Sequence, residues 1–259
     1  MHFEISLQTF ALVLPFVFLA GWVDSIAGGG GLLSLPAYLA AGLPPHVALG
    51  NNKFSSCFGT FFAALRYWRG NLVDVPVALA GALAALVGSF AGTRAVLAVK
   101  PDFLNVLLII LIPVIAAFTL WKKGFGEEAR QGEIAPARRR ALGAAAGFVI
   151  GFYDGFFGPG TGSFLIFFYT LVLRYNLVGA NANTKVVNLA SNIAALAVFL
   201  LHGKVLFALG IPAALAGVAG NLLGSHLVLR KGARRIRPIF LLSLGLLFLK
   251  ILHNLLFAG

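Results

Sequence analysis

The chain has 259 residues, of which 59% are hydrophobic and only 11% are charged. A soluble domain carries about 25% charged residues, so this composition excludes an ordinary soluble protein and indicates a membrane protein. The net charge of +12 comes from basic residues in short segments between apolar stretches. Since these residues form neither a basic stripe nor a nucleic-acid-binding motif, a nucleic-acid partner is excluded. The single cysteine, Cys57, excludes an internal disulfide and a cysteine-based metal site, and no cofactor is predicted.

Ten apolar stretches follow one another along the chain, most of them of about the 17–25 residues that a bilayer-spanning helix needs. In the first half they lie at 7–27, 32–41, 47–65, 75–97 and 103–121. After a charged stretch (122–140) they lie at 141–157, 163–173, 177–201, 205–229 and 236–257. The opening sequence MHFEIS lacks the basic region of a signal peptide, so the first stretch is expected to be a retained helix.

The second stretch of each half is too short for a comfortable crossing. A glycine-rich sequence precedes each one, GGGG at 28–31 and GPGTG at 158–162. Each first and second stretch therefore form either two spans or one broken re-entrant pair buried in protein. These alternatives leave about eight to ten transmembrane helices.

The two halves of the sequence resemble each other. GWVD at 21–24 recurs as GFYD at 151–154, NNK at 51–53 recurs as NTK at 183–185, and the Gly88 and Gly92 pair recurs as Gly220 and Gly224. The offset stays between 130 and 132 residues, which indicates an internal duplication. Each half has an odd number of crossings under either alternative, so the second half is predicted to be inverted.

Loop charges test that inversion independently. With inverted halves, 14 of the 20 Lys and Arg residues lie on one side of the membrane, 4 lie on the other, and Lys53 and Lys185 lie inside apolar stretches. Basic loops face the cytoplasm. The richer side is therefore predicted to be cytoplasmic, and both termini are predicted to lie outside.

The predicted fold is an all-α polytopic membrane protein of two inverted repeats with five hydrophobic segments each. The first repeat covers residues 1–123, a cytoplasmic connector covers 124–137, and the second repeat covers 138–259. All belong to one multi-pass domain in the cell membrane, with the lipid bilayer as its surroundings. The sequence does not predict an oligomeric state.

Four charged residues lie within the apolar stretches at matching positions: Asp24 and Lys53 in the first half, Asp154 and Lys185 in the second. A charge at the bilayer centre costs about 2.5–3.5 kcal/mol on insertion scales, so each needs compensation or a task. Because the positions match, the duplication is expected to place them around one pseudo-two-fold axis.

Polar residues accompany both lysines. Asn52 precedes Lys53, and residues one turn further, Ser56 and Asn188, share a helix face with Lys53 and Lys185. More hydroxyl and amide groups follow at Ser55, Thr60, Ser191 and Asn192. Positive charge with several donors predicts a site for a small anion. The alternative is that each lysine extends to the interface or pairs with an aspartate for structure.

The glycine sequences also allow two interpretations. Gly29, Gly30 and Gly160 can adopt positive φ and break a helix inside the membrane, which would direct free N–H groups towards a ligand. They can instead serve close helix packing. Neither sequence is followed by the Gly-Lys-Ser/Thr of a nucleotide-binding loop.

The aspartates could carry a coupling proton or cation, or cap the helices that begin after the glycines. Neither role is favoured by the sequence. The histidines, which include His46, His202, His226 and His253, lack the spacing of a metal site and are interpreted as loop or interface residues.

Three stretches carry a family resemblance: GWVDSIAGGGGLLSLPAYLAAGLPPHVALGNNKFSSCFGT in the first half, and GFYDGFFGPGTGSF and NANTKVVNLASN in the second. They resemble the TauE/SafE family of sulfite-exporter-like permeases, and within it the branch of probable membrane transporters. The resemblance covers nearly the whole chain. It implies passage of a small anion, with sulfite and organosulfonates as the substrate class. The matching motif residues are Asp24, Gly28, Gly29, Gly30, Gly31, Asn52, Lys53, Asp154, Gly158, Gly160, Lys185 and Asn188.

The sequence thus favours a secondary transporter of a small anion that works by alternating access of the two repeats, and the resemblance implies a sulfur oxyanion or organosulfonate as the substrate. An anion channel with the same cavity chemistry is the alternative. An intramembrane lipid-phosphate enzyme is less favoured, because all four glutamates (Glu4, Glu127, Glu128, Glu133) lie outside the apolar stretches.

Overall fold

The computed structural model describes residues 6–104, 106, 110 and 133–230. Eight helices lie in these ranges: α1 (Leu7–Ala27), α2 (Gly31–Ala40), α3 (Pro45–Arg69), α4 (Val75–Leu97), α5 (Pro136–Phe156), α6 (Thr161–Leu171), α7 (Leu177–Leu201) and α8 (Phe207–Arg230). A further helical stretch begins at Pro101. Most of the predicted segment 103–121, most of the connector, and the segment 236–257 lie outside the described residues. Within the described residues the fold is all-helical, as predicted.

Local sequence explains where these helices begin and end. The Ser6 hydroxyl accepts the N–H of Thr9 at the start of α1, and the Asn176 side chain accepts the N–H of Gly179 at the start of α7. Pro45 and Pro136 open α3 and α5, where proline costs no intrahelical hydrogen bond.

One boundary differs from the sequence analysis. Residues 136–140, predicted to belong to the charged stretch, form the first turns of α5. Arg138, Arg139 and Arg140 are good helix formers that follow a proline and an alanine, so charge did not mark the end of the loop here.

Four of the helices are long and apolar enough to cross a membrane: α1, α4, α7 and α8. Helix α3 is just as long as α7 but carries Asn51, Asn52 and Lys53 in its middle, which lowers its hydropathy. Large side chains on the outer faces, such as Val87, Val149 and Leu215, are mostly exposed, as expected where lipid is the solvent.

The short helices α2 and α6 have 10 and 11 residues. At 1.5 Å per residue they extend about 15–17 Å, roughly half of the hydrocarbon thickness. Each follows a longer helix after a glycine-rich break. Of the two alternatives for these segments, the broken pair fits this geometry.

Glycines bring long helices of opposite halves into close contact. A Cβ atom on Gly88 or Gly92 of α4 would lie 2.2 Å or 2.0 Å from the Phe148 or Phe152 carbonyl oxygen of α5. Gly220 of α8 would likewise lie 2.0 Å from the Phe18 oxygen of α1. Such contacts are typical of membrane helices packed through small residues.

Helices α3 and α7, which occupy equivalent positions in the two halves, run antiparallel. Near the end of α3, the Tyr67 hydroxyl contacts Asn181 in the first turns of α7 at 3.0 Å. Near the start of α3, Gly50 packs against the backbone of Lys204, which follows α7. The two helices thus cross the centre of the molecule in opposite directions and place Lys53 and Lys185 between the halves.

Candidate functional site

Two helix breaks meet at the centre of the molecule. Helix α1 ends at Ala27, and Gly28 and Gly29 take φ values of 73° and 87° before α2 begins. After α5, Gly158 and Gly160 take φ values of 94° and 86°. These left-handed conformations favour glycine, and they turn the chain within a few residues. The predicted helix breaks are therefore confirmed.

The breaks touch each other as well. A Cβ atom on Gly28 would lie 2.3 Å from the backbone carbon of Gly162, and one on Gly31 would lie 3.2 Å from the Pro159 Cα. Packing and breaking, the two interpretations of these glycines, thus apply together: the turn and the close approach both require the missing side chain.

The four membrane charges form two ion pairs, and each pair joins the two halves. Lys53 Nζ lies 2.7 Å from the Asp154 carboxylate, and Lys185 Nζ lies 2.7 Å from the Asp24 carboxylate. Both lysines and Asp154 are buried. The structure therefore agrees with the alternative interpretation of the lysines, in which each one pairs with an aspartate. Each buried charge lies next to a charge of opposite sign, which offsets the cost of removing it from water.

Neutral polar groups complete the surroundings of the charges. Lys53 Nζ also donates to the Asn192 side-chain oxygen at 3.1 Å, and the Ser191 hydroxyl donates to the Asp154 carboxylate. Lys185 Nζ also donates to the Asp24 carbonyl oxygen. The Ser34 hydroxyl donates to the Asn52 side-chain oxygen.

A small cavity lies between the breaks and the ion pairs. Nine of the ten predicted site residues line it: Asp24, Gly29, Gly30, Asn52, Lys53, Ser56, Asp154, Gly160 and Asn188. The tenth, Lys185, is fully buried and contacts Asp24. A second small cavity adjoins the first and shares Asp24, Gly30, Ser56 and Thr60 with it.

Some lining residues were not singled out in the sequence. Asn221 of α8 is buried beside the second cavity, and its side-chain oxygen has no hydrogen-bond partner among the described residues. Thr161 and Gly162 line the first cavity at the start of α6. A lone asparagine in an apolar stretch was the available signal for Asn221, but only the fold places α8 beside α1.

The cavity wall offers donors suited to an oxyanion. It carries the Lys53 ammonium group, the side-chain amides of Asn188 and Asn192, and the hydroxyls of Ser56 and Thr60. The first residues of α2 and α6 also line it, and a helix N-terminus presents free N–H groups and a partial positive charge.

The two aspartates have different hydrogen-bond partners. Asp24 accepts the Gly30 N–H at 3.4 Å, a long hydrogen bond at the start of α2, whereas Asp154 accepts from Lys53 and Ser191. The described histidines bond elsewhere: His46 contacts the Val96 oxygen, and His226 contacts Arg66. In the described ranges no cluster of three metal-ligating side chains occurs.

A sequence model of the family described as "Sulfite exporter TauE/SafE" matches residues 13–251. The chain belongs to the TauE/SafE family. "Probable membrane transporter protein YfcA" of Escherichia coli K12 is 39% identical over 247 residues, which cover 93% of this chain and 89% of that protein. No solved structure matches this chain.

Two further relatives carry similar names. "Probable membrane transporter protein ORF9" of a Sinorhizobium species is 35% identical over 92% of this chain and 90% of its own length. "Probable membrane transporter protein" of Haemophilus influenzae is 33% identical over 97% of both chains. This TauE/SafE member is accordingly a multi-pass membrane transporter, and neither the family nor these relatives are named as enzymes.

Proposed function

We propose that this protein is a secondary transporter that moves a small anion across the cell membrane by alternating access of its two halves. The observation that carries the proposal is the central cavity, where Lys53, side-chain amides and hydroxyls and the N-termini of α2 and α6 converge. An oxyanion binds best where a cationic group and several hydrogen-bond donors meet, and this wall holds an ammonium group, amides and hydroxyls. The family's description as sulfite exporters supports a sulfur oxyanion or an organosulfonate as the substrate.

The inverted-repeat mechanism has its own support. The equivalent helices α3 and α7 run antiparallel, and α4 contacts α5 through the same glycine positions by which α8 contacts α1. Each ion pair joins one half to the other. A rocking motion of one half against the other would therefore change the cavity and the distances within both ion pairs.

The predicted orientation is supported by contacts between basic loops. Asp74, which precedes α4, pairs with Arg139 of α5 at 2.9 Å and accepts from the Tyr175 hydroxyl before α7. Burial and the Asp74 carboxylate raise the pKa of the Tyr175 phenol well above its ordinary value, so it remains a donor. The loops before α4 and α7 and the first turn of α5, all predicted to be cytoplasmic, therefore meet at one end of the bundle.

Thermal stabilisation by anions tests the binding part of the proposal. Sulfite, sulfate, methanesulfonate, chloride and taurine are added to the purified protein in detergent. We expect at least one sulfur oxyanion to raise the melting temperature in a saturable manner. The K53Q variant removes the Lys53 ammonium group from the cavity wall. Because hydrogen bonds to charged groups contribute about 1.5–3 kcal/mol, anion binding should weaken ten- to a hundred-fold. Equal melting temperatures with every anion would contradict an anion site.

Flux into proteoliposomes distinguishes a carrier from the alternative, an anion channel. A carrier saturates and exchanges internal for external labelled anion, whereas a channel conducts current that rises with the gradient. We expect saturation and exchange, because the ion pairs and the two helix breaks surround the cavity. A single-channel current would instead favour the channel.

A further inference from the structure

The charges around the cavity cancel one another. Lys53 and Lys185 each have a carboxylate partner at 2.7 Å, so an entering anion finds no uncompensated positive charge. A protein interior screens charge poorly compared with water. An additional negative charge beside two carboxylates is therefore repelled unless one carboxylate loses its charge.

We infer that one proton binds together with the anion, and that the Asp24 carboxyl group holds it. The inference rests on the proposed anion transport and names its coupling ion. A proton moves from solution to the Asp24 carboxylate, and Lys185 keeps the Asp24 carbonyl oxygen as its partner. The cavity thereby gains one unit of positive charge, which the anion then balances. The proton and a singly charged anion together therefore leave the net charge of the site unchanged.

Accessibility distinguishes Asp24 from Asp154. The Asp24 side chain is 14% exposed and lines both cavities, whereas the Asp154 side chain is 3% exposed and lines the first. Ser191 donates to the Asp154 carboxylate. At the equivalent position of the first half stands Gly59, which has no side chain to donate. The Asp24 carboxylate is thus the more accessible of the two.

The groups that face Asp24 set the balance between its two forms. Helix α7 contributes Lys185, α3 contributes Lys53 and Tyr67, and α5 contributes Asp154 across the first cavity. Helix α8 contributes the neutral Asn221, which lines the second cavity together with Asp24. Helices α2 and α6 contain no Asp, Glu, Lys, Arg or His. A bound anion repels a neighbouring carboxylate, so the proton arrives with the anion.

Calorimetry of the unmodified protein tests the inference directly. Methanesulfonate, which stays ionised across the range, is titrated in two cationic buffers of different ionisation enthalpy, because sulfonate buffers would compete. We expect uptake of about one proton per anion, and an affinity that falls about tenfold per pH unit between about pH 6.5 and 8.5. The sign follows because rising pH keeps the proton off the empty site. Binding without proton uptake overturns the inference and leaves anion transport standing, whereas no binding at any pH overturns both.

Two matched variants identify the carboxyl group. D24N imitates the protonated residue, so it should bind methanesulfonate with the same affinity at about pH 6.5 and 8.5 and take up no proton. D154N removes the other carboxylate and should still take up a proton on binding. Retained pH dependence in D24N, or its loss in D154N alone, would assign the proton elsewhere. If D24N does not fold, the heat measured on the unmodified protein still decides whether a proton is bound.

Discussion

The two ion pairs of the central cavity are alike in charge and distance but differ in their surroundings. Lys53 and Asp154 are both buried. Lys53 also donates to Asn192, and Asp154 also accepts from Ser191. In the other pair Asp24 is partly exposed to both cavities, while Lys185 is fully buried. The duplication thus accounts for the same two charges in each half, whereas the neutral side chains around the two pairs differ.

The origin of that difference can be located at two positions. Ser191 lies beside Asp154. The Ser89 hydroxyl donates to the backbone oxygen of Ser191 at 2.7 Å. By the offset of 132 residues, Ser191 corresponds to Gly59 and Ser89 corresponds to Asn221, and Asn221 packs directly over Gly59. The neutral residues beside the two aspartates therefore differ between the halves.

The largest effect is expected when the sealed pair is broken. K53M leaves the Asp154 carboxylate buried without its cation, which should cost about 3–5 kcal/mol of unfolding free energy. K185M strands a carboxylate that the cavities partly solvate, so we expect a smaller loss. Unfolding in a mixed-micelle titration measures both.

The double variant K53M/D154N provides the control. Neutralising the stranded partner should recover most of the stability lost in K53M. Equal losses in K53M and K185M would mean that the difference in exposure between the two pairs has no energetic consequence.

Much of the fold could be predicted because apolar length and glycine breaks are local signals. The bounds of α1, α4 and α7 agree with the predicted segments 7–27, 75–97 and 177–201, and both helix breaks lie where the glycines predicted them. Lys53 and Asp154 were singled out by their cost in a membrane. Their pairing across the halves could not be predicted, since it depends on how α3 packs against α5 and α7. The exposure of Asp24 was out of reach for the same reason.

Helix packing offers a test in which the two halves should behave alike. G92A places a methyl group 2.0 Å from the Phe152 oxygen, and G224A places one 2.4 Å from the Trp22 oxygen. Neither backbone can yield without moving a helix, so each should lose about 1–3 kcal/mol. Thermal unfolding in detergent measures the loss.

Gly70 is the matched control for these glycines. Its nearest neighbour would lie 3.4 Å from the added methyl group, and its φ is −80°. G70A should therefore melt close to the unmodified protein. A loss in G92A without one in G224A would show that only the α4–α5 contact depends on glycine.

Removing the hydroxyl that contacts Asp154 of the Lys53–Asp154 pair should have a moderate effect. S191A deletes the donor to Asp154, and polar contacts between membrane helices contribute about 1–2 kcal/mol in model peptides. Loss of the hydroxyl should also admit water to Asp154. We expect faster hydrogen exchange in the last turn of α5, measured by mass spectrometry, with T60A of α3 as the comparison. Unchanged exchange in S191A would mean that packing, and not this hydroxyl, closes the pair.

The smallest effect is expected at an ion pair outside the cavity. Arg174 and Glu133 lie 2.5 Å apart, a distance as short as in the central pairs, but their side chains are 53% and 55% exposed. Water already solvates both charges, and salt screens their attraction, so R174A should change stability by about 0–1 kcal/mol. Melting R174A and K53M side by side in low and high salt isolates burial from distance, since K53M should keep its large deficit at either ionic strength. A deficit in R174A as large as that in K53M would contradict the view that burial, rather than contact distance, makes the central pairs important.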